Sequence, residues 1–362
     1  MKRVGNLYEP ICSTENILNA IRCAAKHKAS RYNVQRVLAD PERYAAMVRR
    51  QLLDKSFKPC PAKTMLVRDS PSGKVREIQI PRFFPDQIIH WALMIQLKPV
   101  LMRGMYAHTC GSVPGRGQAH GQRYLRRWLD RDRKGTKYCL KMDISKFYQN
   151  VNHEILKAMF RRVLKDPEAL WLIDTIVDSG PSGLPIGNYT SQWFANFFLQ
   201  GLDHFIKQQL RVKYYVRYVD DLVLLGPNKR KLHKARQDIA LYLSALQLTL
   251  KDDWQVFPIK HRFIDFLGFR FYRCHTTLRA RNALRIRRRV ARVARRKKIS
   301  RKDACAVISY LGIVTNSDSA GYRQKYIDSQ VNIKRLKEVI RNESRITDSA
   351  REGQSRAARS RS

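Results

Sequence analysis

The sequence predicts an α+β protein in which helices lie on one face of a mainly antiparallel sheet. Between Lys137 and Phe271, short apolar runs of strand length alternate with longer segments whose apolar residues recur every three or four positions. Loops rich in glycine and proline separate several of these segments. The chain has 362 residues, enough for two or three domains, and its 44% hydrophobic content excludes a wholly disordered protein.

The N-terminal part is predicted to contain helices followed by a hairpin. Apolar residues at helical spacing indicate helices over Thr14–Lys28 and Pro41–Leu53. Two strands, Thr64–Arg68 and Val75–Ile80, flank a loop of turn-forming residues. A helix over Asp86–Leu97 and then a loop at residues 113–117 are expected to follow.

The middle of the chain is predicted to form the sheet and the helices that cover it. A strand over Tyr138–Met142 ends at Asp143, and two apolar runs, Tyr214–Tyr218 and Leu222–Leu225, are separated by three residues. The other expected elements are helices over His153–Leu164, Thr190–Leu210 and Lys231–Leu246, a loop at Gly180–Gly187, and strands over Phe263–Leu267 and Arg270–Tyr272.

The C-terminal part carries a concentration of positive charge. Of the 24 residues from Arg279 to Lys302, 13 are basic and none is acidic, and apolar residues recur among them at near-helical spacing. This pattern predicts one basic helix with a buried stripe. Further helices are expected over Asp303–Leu311 and Ile327–Arg341, and residues 346–362 are expected to be a disordered Ser/Arg-rich tail.

The net charge indicates the class of partner. With 71 Lys and Arg against 30 Asp and Glu, the formal charge is +41 at pH 7, which favours nucleic acid. The alternatives are a basic surface that serves solubility and one that meets anionic lipid. No apolar run is long enough to cross a bilayer, and the start of the chain lacks the apolar core of a secretory signal. No membrane partner is therefore expected.

Cysteine usage indicates the compartment. Seven scattered cysteines without a C-x-x-C pair predict reduced thiols in a cytoplasmic protein and argue against a zinc site. His108, Cys110 and His120 are close in sequence but lack the spacing of metal ligands, so a structural role is expected for them.

The adjacent acids Asp220 and Asp221 are the sharpest local signal. They lie between two short hydrophobic strands, where an ordinary hairpin turn favours Asn-Gly or Asp-Gly. Two acids there indicate either a solvated turn or a divalent-metal site. Asp143 ends a strand earlier in the chain, and on a neighbouring strand it would complete a set of three carboxylates. Such oxygen ligands suit Mg²⁺, and two such ions clamp the attacking and leaving oxygens of a nucleotidyl transfer.

Five motifs, in order along the chain, resemble those of reverse transcriptases. The segment 218–221, Tyr-Val-Asp-Asp, is similar to the Y-x-D-D box, and Asp143 with Phe147 and Tyr148 is similar to the preceding metal-binding box. Residues 183–192 resemble the loop-to-helix box of bacterial members, residues 74–78 the finger hairpin, and residues 266–271 the primer grip. The resemblance covers about residues 55–275.

Within that family, the chain most resembles the reverse transcriptases of diversity-generating retroelements. The string Leu-Pro-Ile-Gly-Asn-x-Thr-Ser-Gln at 184–192 is typical of that class, as are the compact length and the stretch 5–16. The resemblance implies that the enzyme, with a small accessory protein, copies a template-repeat RNA with errors mainly at adenines, and that the cDNA diversifies a target gene. The alternatives are an intron, retron or phage-defence reverse transcriptase, an RNA-templated RNA polymerase, and a non-catalytic RNA-binding or maturation protein.

The resemblance implies a right-hand polymerase and divides the chain into domains. These are an N-terminal helical extension (1–54), fingers (55–136), a palm with the catalytic acids (137–272) and a basic helical thumb (273–345), followed by the tail (346–362).

The resemblance also implies roles for individual residues. The catalytic residues Asp143, Asp220 and Asp221 would hold two Mg²⁺ ions, with the carbonyl of Ile144 as a further ligand. Template RNA, the primer or cDNA strand and dNTPs are the expected partners. The incoming nucleotide would meet Arg68, Lys74, Arg76, Ser145, Lys146, Phe147, Tyr148, Ile186 and Gly187; the primer would meet Phe266, Leu267 and Gly268; and nucleic acid would meet Arg116, Arg285, Arg288, Arg289, Arg292, Arg295 and Arg296.

Three of these positions have specific consequences. Tyr148 is at the steric-gate position, where an aromatic ring would clash with a 2′-hydroxyl and select dNTPs; the alternative is a core aromatic residue. Many high-fidelity relatives have glutamine where this chain has Ile186, and an aliphatic side chain cannot hydrogen-bond there, so we expect relaxed fidelity. Many relatives also have arginine where Val113 stands, and Arg116 is the expected substitute for that contact.

Overall fold

The computed structural model describes residues 3–68, 73, 75–180 and 182–342 of the chain. The chain divides into two units, one formed by Met1–Trp128 with Asp132–Pro258 and the other by Leu129–Arg131 with Ile259–Ser362. Lys74 and residues 346–362 lie outside the described residues. The expected nucleotide contact of Lys74 and the expected disorder of the tail therefore stay predictions.

The first unit is built from eleven helices and seven strands among the described residues. The helices are α1 (Tyr8–Cys12), α2 (Thr14–Ala25), α3 (Tyr32–Ala39), α4 (Pro41–Leu53), α5 (Ile88–Arg103), α6 (Gln118–Arg131, whose last three residues belong to the second unit), α7 (His153–Val163), α8 (Pro167–Val177), α9 (Tyr189–Phe198), α10 (Gln200–His204) and α11 (Lys229–Ala245). The strands are β1 (Lys63–Arg68), β2 (Val75–Ile80), β3 (Thr109–Cys110), β4 (Tyr138–Asp143), β5 (Tyr214–Tyr218), β6 (Asp221–Gly226) and β7 (Gln255–Pro258).

Side-chain caps explain where the N-terminal helices begin. The hydroxyl of Ser13 accepts the N–H of Asn16 at the start of α2, and the carboxylate of Asp40 accepts the N–H of Arg43 at the start of α4. Pro41 occupies the first turn of α4, where its missing N–H costs nothing. The predicted helix Pro41–Leu53 is confirmed, and the one predicted over Thr14–Lys28 ends three residues early, at Ala25.

His90 lies in the largely apolar helix α5 and is 2% exposed. Burial lowers the pKa of this imidazole to about 4 from 6.5, because the charged form loses its hydration. Between pH 6.5 and about pH 4, the unfolded chain binds a proton at His90 that the folded chain does not bind. The free energy of unfolding is therefore unaffected by this group above pH 6.5 and decreases as the pH falls below it.

We expect this residue to contribute about 2 kcal/mol to the loss of stability between pH 7 and pH 5. Replacing His90 with leucine removes the titrating group, so H90L loses less stability than the wild type over this interval. Urea unfolding of both proteins at the two pH values measures the difference. The same pH dependence in both proteins would contradict the expectation.

The central sheet has the strand order β3-β5-β6-β4-β7. All neighbours are antiparallel except β3 and β5, which agrees with the mainly antiparallel sheet predicted. Helix α11 packs against β4, β6 and β7. On the same strands Leu140, Met142 and Leu222 point into the main apolar core. Because side chains alternate along a strand, Lys141, Asp143 and Asp221 lie on the opposite face.

Two predicted helices are shorter than the sequence pattern indicated. The helix expected over Thr190–Leu210 is interrupted at Leu199, and α10 then continues into a π-helical turn, Phe205–Gln209. Gly201 follows the break, and the buried Asp203 bonds to Arg217, so local helix propensity is weak and a tertiary contact decides the path.

The basic helix expected over Arg279–Lys302 also ends early. Helix α12 (Ala280–Ala294) begins one residue later than predicted and ends eight residues sooner. Four consecutive cations, residues 295–298, follow it and repel one another at helical spacing. The hydroxyl of Ser300 then caps α13 (Arg301–Thr315) by accepting the N–H of Asp303.

The second unit combines a small sheet with these helices. Three antiparallel strands, β8 (Ile264–Phe266), β9 (Phe269–Phe271) and β10 (Thr276–Leu278), pair in the order β10-β9-β8. The predicted strand pair is confirmed, each strand ending one residue short. After α13 come α14 (Ala320–Arg323), a π-helical turn at Gln324–Asp328 and a helical stretch at 333–342, in place of one helix over Ile327–Arg341.

None of the described helices combines the length and the hydrophobicity that crossing a membrane requires.

Candidate active site

Three carboxylates meet at one end of the central strands. Asp143 ends β4 and Asp221 begins β6, and the two residues stand directly opposite each other in the antiparallel register. Asp220 precedes Asp221 in the turn from β5, and its backbone carbonyl accepts the N–H of Ile144 at 3.1 Å. The fold therefore brings together the three acids that the sequence singled out.

Burial and mutual repulsion shape the ionisation of these acids. Burial raises the pKa of Asp221 to about 6; the ammonium of Lys141 opposes this rise and Asp143 adds to it. Burial also raises the pKa of Asp220, with a further contribution from Asp143. The site thus concentrates negative charge in poorly hydrated surroundings, which favours the binding of cations.

Two lysines supply positive charge beside the acids. The Nζ atom of Lys141 lies 2.5 Å from Asp221 Oδ1 and 3.8 Å from Asp143 Oδ2. Lys251 Nζ lies 3.4 Å from Asp143 Oδ1. Burial disfavours the charged form of Lys141, but Asp221 and Asp143 outweigh this penalty and raise its pKa.

The donor set fits a hard divalent cation by its chemistry. The three carboxylates, and the backbone carbonyl of Ile144 next to Asp143, are oxygen ligands of the kind that Mg²⁺ prefers. No cluster of three or more His, Cys, Asp or Glu side chains in the described part of the chain has the geometry of a formed metal centre. A cation held by Asp143 and Asp221 would displace the ammonium of Lys141 from between them.

The segment after Ile144 differs in part from its expected role. The N–H of Ser145 donates to the carbonyl of Thr249 at 2.8 Å, so this amide is not free to bind a phosphate. Phe147 is 2% exposed, and its ring packs in the core. Lys146 is exposed in a left-handed conformation, with φ of 43°, at the start of the 3₁₀ turn Phe147–Asn150.

A glycine-rich loop connects Tyr148 to the hairpin of β1 and β2. The N–H of Leu184 donates to the carbonyl of Tyr148 at 2.7 Å, and the N–H of Gln79 in β2 donates to the carbonyl of Ile186 at 2.8 Å. Gly183 and Gly187 have φ of +62° and +129°, and a Cβ at either would collide with backbone, that of Tyr148 and Gln149 at the first and of Gln79 at the second. This close packing couples the expected gate residue to the hairpin.

The hairpin places Arg76 within electrostatic reach of the acids. Arg76 pairs with Val67 in the β1–β2 register, and its charge favours the ionised form of Asp220. Arg68 is exposed at the end of β1, opposite Val75. Arg76 is therefore the better placed of the two described hairpin arginines for a triphosphate at the acids.

The predicted primer-grip residues lie in the second unit. Phe266 ends β8 and is buried, and the turn to β9 consists of Leu267 and Gly268, both at positive φ. The carbonyl of Gly268 accepts hydrogen bonds from the N–H of Arg279 and from Asn282 Nδ2, each at 3.0 Å. These bonds attach the turn to the start of α12.

The arginines predicted to bind nucleic acid fall into two groups. Arg288, Arg292 and Arg295 are exposed at spacings that align them along the outer side of α12 and its C-terminal end. The guanidinium groups of Arg289 and Arg296 instead pair with buried Asp303, and that of Arg285 lies over the ring of Tyr310. A nucleic-acid contact by Arg289 or Arg296 would require these ion pairs to open.

Arg116 is also engaged within its own unit. Its Nη1 donates to the carbonyls of Tyr106 at 3.0 Å and Met105 at 3.4 Å, and its backbone carbonyl accepts the N–H of Gly111. The side chain thus holds the predicted loop at 113–117 in place. This contact explains its position without a template strand, and the expected template contact stays a prediction.

The sequence analysis missed two residues that the structure places beside the acids. Lys141 is two positions before Asp143 on a strand, so side-chain alternation alone put both on one face. Arg217 is a charged residue in the otherwise apolar strand β5 and is fully buried. A lone arginine in such a strand is a signal that a buried acidic partner exists elsewhere in the chain; that partner is Asp203.

Comparison with known protein families finds one match that spans the acids. The family model described as reverse transcriptase (RNA-dependent DNA polymerase) matches residues 67–271, more than half of the chain. This range includes the end of β1, all of β2, the glycine-rich loop, the three acids and the turn between β8 and β9.

Similar proteins come from two bacteria. The Escherichia coli K12 protein YkfC is 22% identical over 271 residues, which are 63% of this chain and 71% of YkfC. The group II intron-encoded protein LtrA of Lactococcus lactis is 25% identical over 54% of this chain and 33% of its own length. The retron Ec73 reverse transcriptase of Escherichia coli is 33% identical over 25% of this chain and 32% of its own length. The chain thus spans only about a third of the latter two relatives.

Proposed function

Because this chain belongs to the reverse transcriptase (RNA-dependent DNA polymerase) family and has its right-hand polymerase fold, we propose that it makes cDNA on an RNA template from dNTPs. The observation that carries the proposal is the meeting of Asp143, Asp220 and Asp221 at the ends of adjacent strands. We further propose the domain division that the resemblance implies, with the palm at 137–272 and the thumb at 273–345.

Each group at the site has a task in nucleotidyl transfer. Reverse transcriptase domains use divalent metal ions, and two Mg²⁺ held by the three carboxylates and the Ile144 carbonyl would stabilise charge on the attacking 3′-oxygen and the leaving pyrophosphate. Arg76 binds the triphosphate through its planar fork. The ring of Tyr148 excludes a 2′-hydroxyl, and the bond from the N–H of Leu184 to the Tyr148 carbonyl supports this role by fixing the backbone.

The nucleic acid is held by charge rather than by base contacts. Exposed Arg288, Arg292 and Arg295 in the second unit contact phosphates of the template–primer duplex, and contacts of this kind carry no sequence information. The choice of template therefore depends on RNA shape or on a partner protein.

We assign the chain to the class that serves diversity-generating retroelements. The Leu-Pro-Ile-Gly-Asn-x-Thr-Ser-Gln string at 184–192 supports this assignment. In this role the chain copies a template-repeat RNA with a small accessory protein, makes errors mainly at template adenines and supplies cDNA that diversifies a target gene.

Primer extension on an RNA template with Mg²⁺ and dNTPs, followed by sequencing of the products, tests both levels of the proposal. DNA synthesis is the expected result, with errors concentrated opposite template adenines. Accurate DNA synthesis would support the proposed polymerase activity and contradict the assignment to the retroelement class. Tight RNA binding without synthesis on any template, with and without the accessory protein, would reject the polymerase in favour of an RNA-binding protein.

Ile186 gives a prediction about fidelity. Its aliphatic side chain offers no hydrogen bond at the nucleotide pocket, while its carbonyl is used by Gln79. Replacing Ile186 with glutamine adds a polar contact and keeps that backbone bond, so we expect misincorporation opposite adenine to fall by about tenfold. Sequencing of wild-type and I186Q products on one template measures this change, and an unaltered error rate would contradict the role of Ile186 in fidelity.

A further inference from the structure

Arg217 is the centre of a buried polar network behind the acids. Its Nε and Nη2 donate to the two carboxylate oxygens of Asp203 at 2.8 and 2.6 Å, and both side chains are fully buried. The same carboxylate accepts the hydroxyls of Thr109 at 2.8 Å and Tyr215 at 2.7 Å. Asp203 is thus saturated with hydrogen bonds, and the ion pair does not depend on the remaining nitrogen of Arg217.

That remaining nitrogen reaches the turn that carries the acids. Arg217 Nη1 donates to the backbone carbonyl of Val219 at 2.8 Å and to Asn196 Oδ1 at 3.2 Å. Asn196 in turn donates from Nδ2 to the carbonyl of Gly111 at 3.0 Å. The network therefore connects the buried ion pair directly to the residue before Asp220.

Val219 needs such a restraint because its backbone is strained. Its φ of 57° is in the left-handed region, which β-branched residues rarely adopt. A Cβ at Gly111 would lie 2.9 Å from Cγ2 of Val219, so the side chain fits only because residue 111 is a glycine. The other backbone bonds at this turn run from the N–H of Val219 to the carbonyl of Cys110 at 3.3 Å and from the N–H of Ile144 to the carbonyl of Asp220 at 3.1 Å. Neither bond involves the Val219 carbonyl, so on loss of the Arg217 bond we expect Val219 to relax toward negative φ and to shift Asp220 and Asp221 relative to Asp143.

We infer that Arg217 is a positioning residue. Its Nη1 holds the strained turn at Val219 through the carbonyl of that residue, and this bond keeps Asp220 and Asp221 aligned with Asp143. This inference rests on the proposed function. A residue that merely stabilised the fold would need only the bidentate ion pair with Asp203. The hydrogen bond from Nη1 to the Val219 carbonyl is what gives Arg217 a role in the reaction.

Substitutions can separate the two roles. R217K keeps a charge beside Asp203 but lacks the planar fork that spans Asp203 and Val219 at once. Y215F is the matched control, because it removes one hydrogen bond to Asp203 and leaves the Arg217–Val219 bond intact. The double variant R217Q/D203N removes both charges together, leaves no buried ion unpaired, and replaces R217K if circular dichroism shows that R217K does not fold.

Two readouts are compared across these variants. Hydrogen exchange of the peptide 214–222 should be about tenfold faster in R217K than in the wild type and unchanged in Y215F. The kcat of primer extension should fall about 100-fold in R217K, with the KM for dNTP within about threefold, because misplaced acids affect the reaction more than nucleotide binding. Y215F should keep its kcat within about threefold.

A rescue variant tests the strain itself. Asparagine tolerates the left-handed region better than valine, so V219N in the R217K background should restore about tenfold of the lost kcat. Equal exchange and equal kcat in R217K and Y215F would overturn the inference, as would faster exchange in R217K with unchanged kcat. Failure of the wild type to extend any primer would instead overturn the proposed function, and the exchange comparison would then decide by itself whether Arg217 restrains the turn.

Discussion

Replacing both Asp220 and Asp221 with asparagine is expected to lower the rate of primer extension by about 1,000-fold or more. Asparagine keeps the size of the side chain but removes the charge that, in the proposed function, would hold the metal ions where β4 ends and β6 begins. The thermal stability of the metal-free protein should not fall, because burial and repulsion by Asp143 disfavour both charges and together outweigh the attraction of Lys141 for Asp221. Extension assays and thermal melts of D220N/D221N measure both effects.

The chain offers a matched control for this double substitution. Asp252 and Asp253 are also adjacent acids of the first unit, but both are exposed in the segment before β7. D252N/D253N makes the same change in net charge and should leave extension within about twofold. Equal activity losses in the two double variants would show that net charge, and not the site, accounts for the effect.

Replacing Gly183 with alanine is expected to have the second largest effect. The residue has φ of +62°, and an added Cβ would lie 2.5 Å from the carbonyl oxygen of Gln149 and closer still to that of Tyr148. Backbone on both sides must shift, so we expect a loss of about 3 kcal/mol or more in unfolding free energy. The displacement of Tyr148 should lower kcat/KM for dNTP by about 100-fold. Urea unfolding and single-nucleotide kinetics measure the two losses.

Gly312 is the control for the chemistry of a glycine-to-alanine change. It lies in α13, and an added Cβ there would meet no atom within 4 Å. G312A should stabilise the protein by about 0.5–1 kcal/mol because alanine favours helix. If G183A unfolded like the wild type, the loop at Gly183 would not be the rigid support of Tyr148 that its contacts indicate.

Local patterns in the sequence were enough to predict most of the elements around the site. The strands that end at Asp143 and flank Asp220–Asp221 follow from short apolar runs, and the hairpin at 63–80 follows from its turn-forming loop. These patterns depend on residues within a few positions of one another, where periodicity and turn preference act directly. The motifs then predicted that the acids belong to one site.

Long-range contacts were not accessible to such reasoning. The early end of α12 reflects repulsion among neighbouring cations together with a cap at Ser300, and the break near Leu199 accompanies the bond between Asp203 and Arg217. Arg289 and Arg296 resemble free surface charges in the sequence, yet both pair with Asp303. Side-chain partners of this kind depend on how packed elements face each other, which no local pattern encodes.

By itself, the sequence determined the strongly basic character of the protein, the strands and hairpins of the site, and the acids that its motifs mark. Only the tertiary structure decided that Lys141 lies between Asp143 and Asp221, that Gly183 and Gly187 fasten Tyr148 to the hairpin, and that Arg217 reaches the carbonyl of Val219. The physical reason is one of range. Secondary structure follows from preferences along a few residues, whereas the placement of charges depends on burial, which exists only once distant segments have packed together.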